Sequence, residues 1–309
     1  MSIPKVSVIV PNYNHAKFLK QRLDSILNQT YQDFEIIILD DCSTDNSRAI
    51  IESYRNNKKI TKIVYNTNNS GSPFKQWKKG IELAKGEYIW IAESDDIANF
   101  SFLQKMILTI QKYKTASLIF SESELDINFF DQNITERIEH IYDLGENFIK
   151  KKMLYNCSII NASAVLFKSN SVDNFILEEI TKYNSTGDWL FWNYLASRGD
   201  VINLIEKLNY FRQNSSNIVK QRGKDAIFLF EGFKVILFTV KILKINLGLS
   251  HIKLWSSIWA QYYLSNVASF RKNFYTAIKT SYLIPIYFIY YYCKYLLTNT
   301  KNINIATKN

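Results

Sequence analysis

Apolar runs and amphipathic segments alternate along the first part of the chain. Val6–Val10, Phe34–Leu39, Ile60–Tyr65 and Tyr88–Ala92 are short and rich in β-branched or aromatic residues, as strands are. Between the first two runs, apolar residues recur at helical spacing: Phe18, Leu19, Leu23, Ile26 and Leu27. Strands that alternate with helices are typical of doubly wound α/β folds. We therefore predict an α/β fold with a mostly parallel central sheet.

The pattern becomes less regular after the fourth run. Phe102–Tyr113 is predicted to be a helix and Ser117–Ser121 a short strand, whereas Asp126–Asn147 has no clear period and is predicted to be loop and short helix. Val201–Ile205 and Leu208–Phe211 are predicted to be two closing strands. These elements extend the predicted α/β domain over residues 1–220.

Residues 221–309 have a different pattern, predicted to form a helical C-terminal region. Ile227–Leu247 is apolar, with Glu231 and three lysines spaced along one face. Ser281–Leu297 is the most apolar stretch, but it is shorter than the ~20 residues of a membrane span and contains Pro285. Its many tyrosines and flanking lysines favour the headgroup region of a membrane over the hydrocarbon core. The alternative is a helix that packs against the predicted α/β domain.

Charge supports the same division of the chain. Residues 220–309 contain 13 Lys and Arg against two Asp and Glu, a formal charge of +11, whereas residues 1–219 carry −1. A basic, tyrosine-rich tail predicts peripheral attachment to an anionic membrane surface. No nucleic-acid-binding module is recognisable, so we expect no nucleic-acid partner.

The cysteines and the N-terminus indicate the compartment. Cys42, Cys157 and Cys293 are far apart and odd in number, which predicts neither a disulfide framework nor a thiolate metal site. A strand begins within a few residues of Met1, without the pattern of a signal peptide. We expect a cytoplasmic protein at the inner face of the cell membrane.

An acidic cluster directly follows the fourth strand. Glu93, Asp95 and Asp96 lie within four residues of one another at the predicted carboxyl end of this strand, where ligands bind in open α/β sheets. Crowded carboxylates repel each other unless they are protonated, solvated or bound to a cation. Oxygen ligands suit Mg²⁺ or Mn²⁺, which in turn suit a diphosphate. The alternative is a solvated acidic turn that caps the next helix.

Two further strand ends carry groups that suit a nucleotide. Asp40 and Asp41 follow the second strand, and Tyr13 follows the first. A carboxylate at such a position can accept from a ribose hydroxyl or a base N–H, and an aromatic ring can stack on a base. Neither a Gly-x-Gly-x-x-Gly motif nor a P-loop is present, which argues against a dehydrogenase and a nucleoside triphosphatase.

Together these segments resemble the family-2 glycosyltransferases with a GT-A fold. VSVIVPNYN, FEIIILDDCSTDNS and GEYIWIAESDD follow the order and spacing of that family's strand-end motifs. The resemblance covers roughly residues 4–220. It implies a Rossmann-like three-layer sandwich that binds a nucleotide diphosphate sugar.

The resemblance also implies roles for single residues. Pro11 and Tyr13 would contact the nucleotide, with the Tyr13 ring on the base. Asp40 and Asp41 would bind the base and the ribose.

Glu93-Ser94-Asp95 matches the DXD motif, which binds the metal and the diphosphate in that family. Ser94 would therefore contact the cofactor, and Asp95 would be the more direct metal ligand with Glu93 in support. Glu93 replaces the first Asp of the motif.

Asp188 is the candidate catalytic base. It follows Gly187 at the start of a predicted helix with Trp189 and Trp192 on one stripe. The resemblance implies that Asp188 accepts the proton of the acceptor hydroxyl; an isolated Asp in this position would otherwise be a helix N-cap. Many family members have a second acid where Gly187 stands, and a frequent His is replaced by Asn214.

The sequence therefore predicts an inverting, metal-dependent hexosyltransferase-type enzyme. It would move a sugar from a nucleotide diphosphate sugar to a saccharide or lipid-linked saccharide in surface polysaccharide assembly. The Gln-x-x-Arg-Trp motif of processive synthases is absent, which favours transfer of one sugar per encounter. The alternatives are a non-catalytic nucleotide-sugar-binding or scaffold protein and a basic membrane adaptor.

Overall fold

The computed structural model describes residues 4–133, 138–213, 227–244, 248–264 and 284–294. The chain divides into two compact units. Of the described residues, 4–153 and 157–213 form the first unit, and Leu154–Asn156 joins the C-terminal residues in the second. The boundary predicted at residue 220 lies outside the described residues.

Nine strands of the described part of the chain form one sheet in the order β3-β2-β1-β4-β8-β6-β9-β5, and β7 pairs with β9. The strands are β1 (Val6–Asn12), β2 (Phe34–Asp40), β3 (Ile60–Tyr65), β4 (Tyr88–Ile91), β5 (Ile97–Ala98), β6 (Ala116–Glu124), β7 (His140–Asp143), β8 (Val165–Lys168) and β9 (Asp200–Tyr210). The first four of the order are parallel, as predicted. Beyond β4 the sheet is mixed, because β8 runs antiparallel to both β4 and β6.

Seven described helices belong to the first unit. They are α1 (Ala16–Leu27), α2 (Ser47–Tyr54), α3 (Pro73–Leu83), α4 (Phe102–Ile110), α5 (Gly145–Phe148), α6 (Asn174–Ile180) and α7 (Gly187–Arg198). Short 3-10 turns span Ile127–Phe129, Ala162–Ala164 and Ser169–Ser171, and a π-helical turn spans Ile149–Met153.

Helices cover both faces of the parallel part of the sheet. On one face, Val8 of β1 shares a buried cluster with Leu19 and Leu23 of α1. On the other face, Gly80 of α3 packs so closely that a Cβ there would lie 2.3 Å from Cγ2 of Ile9. Since successive side chains of a strand point to opposite faces, a doubly covered strand must be apolar throughout, as β1 is. The predicted three-layer sandwich is thus the observed architecture.

Some elements differ from the prediction. The two closing strands are one, β9, which runs without a break from Asp200 to Tyr210. Two short strands, β5 and β7, were not predicted, because each pairs with β9 over at most four residues and leaves little periodic signal. The pairing of β7 also gives part of Asp126–Asn147, predicted to be loop and short helix, an extended structure.

The second unit contains three described helices: α8 (Ile227–Leu243), α9 (Leu249–Leu264) and a helix over residues 284–294. Phe233 of α8 packs edge-on against Trp259 of α9, with 4.6 Å between ring centroids. Ser256 of α9 donates to the carbonyl of Ile284 at 3.4 Å. Glu231, predicted to share one face of a helix with three lysines, is buried. None of the helices in the described part of the chain combines the length and apolarity that a membrane span needs.

Candidate active site

The carboxyl ends of three parallel strands meet at one edge of the sheet. β1 lies between β2 and β4, and the chain stays paired beyond the strand ends: Asp41 N donates to Asn12 O at 2.8 Å and Ala92 N to Ile9 O at 2.8 Å. The loop after β1, which contains Tyr13, is therefore flanked by the paired aspartates on one side and the acidic turn on the other. The three sequence motifs converge on this edge.

The loop after β1 presents an aromatic side chain. Tyr13 is 45% exposed, whereas Pro11 is buried in β1 opposite Leu39. Asn14 takes a positive φ of 55° and its Oδ1 accepts from Thr44 N at 2.8 Å, which ties this loop to the one after β2. An exposed ring on a fixed loop is suited to stacking on a flat ligand.

Asp40 is fully buried at the end of β2. Its Oδ1 accepts from Asn12 Nδ2 at 3.1 Å, and its Oδ2 accepts from Ser43 N at 3.1 Å and Arg48 Nε at 3.0 Å. The carboxylate therefore supports the loops on both sides of it. Cys42, two residues later, has a φ of 64°, a left-handed conformation that glycine adopts more readily than residues with a side chain.

Asp41 is buried in a second, denser network. Its Oδ1 accepts from Asn66 Nδ2 at 2.6 Å, Ser70 N at 2.9 Å and Gln76 Nε2 at 2.8 Å, and its Oδ2 accepts from Ser70 Oγ at 2.7 Å. These bonds use most of the lone pairs of a carboxylate. Asp41 therefore fixes the turn before α3 in place, and its predicted contact with a nucleotide remains a prediction.

The acidic turn Glu93–Asp96 follows β4 directly, as the sequence predicts. Asp96 is buried, and its carboxylate accepts from Asn161 Nδ2 at 2.9 Å and from Arg212 N at 3.0 Å. Burial and the charge of Asp95 raise the pKa of the Asp96 carboxyl. Arg212 also donates from Nε to the carbonyl of Asp95 at 2.8 Å. The bonds of Arg212 to Asp96 and to the carbonyl of Asp95 thus hold the turn in place.

Glu93 has an unexpected partner. The indole N–H of Trp77 donates to Glu93 Oε1 at 2.7 Å, and Glu93 N donates to Ser163 Oγ at 3.0 Å. Burial raises the pKa of Glu93 to about 8, against the lowering effect of the Trp77 bond, and the charges of Asp95 and Asp96 act in the same direction as burial. Trp77 thus holds the first acid of the motif.

Ser94 and Asp95 face different surroundings. Ser94 is buried, and its hydroxyl lies 2.8 Å from Nδ1 of His15, which follows the Tyr13 loop. Asp95 is half-buried. The contact between Ser94 and His15 joins the turn to the loop after β1.

The turn suits a cation that is shared with a ligand. Within the described residues, no group of three or more His, Cys, Asp or Glu could hold a metal ion by itself. Mg²⁺ in nucleotide sites takes one or two carboxylates and completes its shell with phosphate oxygens and water. Asp95 and Glu93 are two such carboxylates, and the pKa of Glu93 is raised mainly by burial and further by the charges of Asp95 and Asp96. The chemistry of these side chains fits a divalent cation, and Asp95 as its main ligand stays a prediction.

Asp188 lies in the first turn of α7. The N-cap residue is Thr186 and not Asp188, but Asp188 Oδ1 accepts from Trp189 N at 2.8 Å and so satisfies one backbone N–H of the first turn. Asp188 is half-buried, and it lies close enough to Cys157 to add to the effect of burial in raising the pKa of that thiol. One turn further on, Trp192 packs against Trp77 with 5.8 Å between ring centroids. The helix of Asp188 therefore packs against Trp77, the residue that donates to Glu93.

The ring of Phe74 leaves no room for a side chain at Gly187. A Cβ at this position would lie 2.8 Å from two ring atoms of Phe74 in α3. Any side chain there would collide with the ring, which accounts for the missing second acid beside Asp188. The site therefore contains one carboxylate at the start of α7.

Several supporting residues were not identified from sequence: His15, Arg22, Asn161 and Ser163. Arg22 had a detectable signal, since it interrupts the apolar stripe of α1. The others are polar residues in loops and give no periodic signal. Asn214, the predicted replacement of a family His, lies outside the described residues.

Comparisons with known proteins agree with this geometry. The family model "Glycosyl transferase family 2" matches residues 7–172. Glycosyltransferase GlyG of Streptococcus pneumoniae is 32% identical over 166 residues, which cover 54% of this chain and 52% of GlyG. The poly(ribitol-phosphate) beta-glucosyltransferase of Bacillus spizizenii is 30% identical over 183 residues, 54% of this chain and 27% of that protein. The chain thus spans about half or less of these relatives.

Solved structures confirm the predicted GT-A fold. TarS 1-349 of S. aureus in complex with UDP-GlcNAc superposes with a TM-score of 0.61 and 20% identity, over 93% of this chain and 79% of that chain. The mannosyltransferase PcManGT of Pyrobaculum calidifontis, in complex with GDP-Man and Mn²⁺, gives a TM-score of 0.56 and 17% identity, over 90% and 76%. At this identity the likeness establishes the fold.

Replacing Asp41 by Asn should destabilise the protein. The amide nitrogen would face donors such as Ser70 N or Gln76 Nε2, so buried N–H groups would lose their acceptor and the free energy of unfolding would fall by about 2–4 kcal/mol. Urea denaturation followed by tryptophan fluorescence measures this. The matched control is Asp33→Asn, at an exposed position, with an expected change within about 0.5 kcal/mol. Equal midpoints for both variants would contradict the structural role of Asp41.

Proposed function

Because the chain belongs to glycosyl transferase family 2, we propose that it transfers a sugar from a nucleotide diphosphate sugar to an acceptor hydroxyl. The family match confirms the resemblance inferred from the sequence motifs. One observation carries the proposal: the exposed ring of Tyr13 lies in the loop after β1, the strand between β2, which ends at Asp40, and β4, which leads into the acidic turn. A nucleotide with its base on Tyr13 would direct its diphosphate along the strand ends toward Asp95.

In the proposed reaction, Asp188 accepts the proton of the acceptor hydroxyl as its oxygen attacks the anomeric carbon. A single displacement of the nucleoside diphosphate from the opposite side inverts the anomeric configuration. Because position 187 is a glycine, Asp188 is the only acid in the first turn of α7. Within this turn, Asp188 is therefore the one carboxylate that can accept the proton of the acceptor hydroxyl. Proximity of the base to the acceptor then accounts for part of the rate.

Asp95 and Glu93 would hold a divalent cation, Mg²⁺ or Mn²⁺. When bound, such a cation neutralises the charge that builds up on the departing diphosphate. The residues around it keep the turn in shape: Trp77 orients Glu93, and Asn161 and Arg212 fix Asp96. A neighbour of the same fold is named as a complex with GDP-Man and Mn²⁺, which supports this assignment.

The relatives suggest the class of donor and acceptor. The TarS neighbour is named as a complex with UDP-GlcNAc, and curated relatives act on poly(ribitol-phosphate) or are named for teichuronic acid biosynthesis. We propose a nucleotide sugar donor and a saccharide or lipid-linked saccharide acceptor in the assembly of surface polysaccharide.

A second candidate is a protein that binds a nucleotide sugar without turnover. The bond from Trp77 to Glu93 favours it, because it occupies one oxygen of the metal motif. Against it stands Asp188, a carboxylate in the first turn of α7 that would serve as the base of the proposed reaction. Measurements of binding and turnover separate the two candidates.

We also propose that the second unit attaches to an anionic membrane surface. The helix over residues 284–294 buries Ile284 and Phe288 but exposes Ile286 (58%), Ile289 (60%) and Tyr290 (58%) on its other side. The formal charge of +11 over residues 220–309 attracts anionic lipid, and the exposed apolar side chains can enter the headgroup region. Lipid binding would bring the enzyme to lipid-linked acceptors.

Donor binding should require a divalent cation and Asp95. We expect one nucleotide sugar among UDP-GlcNAc, GDP-Man and dTDP-sugars to bind with Mn²⁺ and not with EDTA in titration calorimetry. Asp95→Ala should weaken binding by roughly 10- to 100-fold, because it removes a carboxylate that holds the cation. Asp33→Ala, at an exposed position, should bind like the unsubstituted chain. Equal affinity in Mn²⁺ and EDTA would refute the metal assignment.

Asp188→Asn should abolish turnover and retain donor binding. We expect release of the nucleoside diphosphate in the presence of donor to slow by about 10²- to 10⁴-fold, because the amide accepts no proton. The donor dissociation constant should stay within about twofold. Unchanged turnover in Asp188→Asn would assign the base elsewhere, and absence of turnover in the unsubstituted chain with every acceptor supplied would favour the binding protein.

Binding to vesicles should depend on anionic lipid and on Ile289. The chain should sediment with vesicles containing phosphatidylglycerol, less so at high salt, and not with neutral phosphatidylcholine. Ile289→Glu should weaken this binding by roughly tenfold, because a carboxylate replaces an apolar group at the lipid surface. Ile127→Glu, at an exposed isoleucine of the first unit, is the control and should leave binding unchanged. Equal binding to both lipids would contradict the proposal.

A further inference from the structure

Arg22 is a buried cation without a hydrogen-bond partner among the described residues. It lies on the face of α1 that packs on the sheet, and it is 0% exposed. None of its three guanidinium nitrogens, Nε, Nη1 and Nη2, donates to an acceptor in the part of the chain that the structure describes. Such a group is costly to bury, because it leaves water without regaining its hydrogen bonds. Packing alone does not account for a charged residue at an apolar helix position.

Two neighbours place Arg22 beneath the acidic turn. Its Cζ lies 4.9 Å from the ring centre of Trp90, and Trp90 is in β4, three residues before Glu93. The next turn of α1 contacts the other end of the acidic turn, because Ser25 Oγ accepts from Ala98 N at 3.3 Å. α1 therefore packs against both strands that flank Glu93–Asp96.

The charged groups that interact with Arg22 belong to the turn Glu93–Asp96. Its guanidinium interacts most strongly with Asp96, then with Glu93 and Asp95. Burial lowers the pKa of Arg22 to about 10, so the group keeps its charge at neutral pH. Asp96 already accepts from Asn161 and from Arg212 N, both of which orient it without adding the formal charge of a side chain. Arg22 adds a positive charge to the inner side of the turn.

We propose that Arg22 is a positioning residue, the internal counter-ion of the turn Glu93–Asp96. It holds the three carboxylates together when no cation is bound, and it competes with a divalent cation for their charge, so it sets the affinity for that cation. The second half of the proposal rests on the proposed metal-dependent function. The first half concerns the protein without metal and is testable separately.

The full-length chain with Arg22→Met tests both halves, because methionine keeps an unbranched, flexible side chain and removes the charge. In EDTA the melting temperature should fall, since the carboxylates lose their counter-ion. Mn²⁺ should bind about tenfold more tightly by titration calorimetry, since the competing charge is gone, and should raise the melting temperature by more than it does in the unsubstituted chain. Arg22→Lys, which keeps the charge, should bind Mn²⁺ like the unsubstituted chain. Lys20→Met, on the exposed side of the same helix, removes the same charge and should change neither value.

The melting temperature and the Mn²⁺ affinity together test the proposal. A lower melting temperature in Arg22→Met with unchanged or weaker Mn²⁺ binding would mean that Arg22 only fills space, and would overturn the proposal. If this variant does not fold, Arg22→Gln carries the same comparison. If the unsubstituted chain binds no Mn²⁺, the metal assignment fails, and the counter-ion is then tested by a double-mutant cycle of Arg22→Gln and Asp96→Asn in EDTA. Additive changes in stability in that cycle would overturn the counter-ion as well.

Discussion

Burial of neighbouring acids in the turn Glu93–Asp96, to which their mutual repulsion adds, is the constraint on which the site depends. Three acids at the end of a buried strand cannot all be charged without compensation nearby. The chain meets this with donors from several elements, among them Trp77 of α3 and Asn161 before β8. These contacts also connect the turn to the surrounding layers. The geometry of the turn is therefore a property of the whole first unit.

The paired aspartates after β2 show a different use of the same residue type. Asp40 and Asp41 are buried and hydrogen-bonded to the neighbouring loops. They therefore support the loop that presents the exposed ring of Tyr13. A loop that must hold an aromatic ring in a fixed position needs such anchoring, because loop backbone is otherwise mobile. Rigid support beneath one exposed ring lowers the entropy lost when a ligand stacks on it.

The sequence predicted the parallel half of the sheet and the position of the acidic turn, because buried strands such as Val6–Val10 have a strong apolar signal. It did not predict β7 or β5, whose pairing with β9 is decided by residues distant in the chain. The same holds for the site. Motif residues could be identified by resemblance, but Trp77 on Glu93 depends on how α3 lies across the sheet. Spatial partners of this kind leave no local pattern.

The contact between Gly187 and the ring of Phe74 has a consequence for how this sequence can change. A second acid beside Asp188 cannot be acquired by one substitution, because the side chain would meet the ring. A smaller residue at position 74 has to come first, and that change by itself opens a void next to Trp77. The order of substitutions is thus restricted. A descendant of this chain is held to a single acid at the start of α7 until its aromatic neighbour has been replaced.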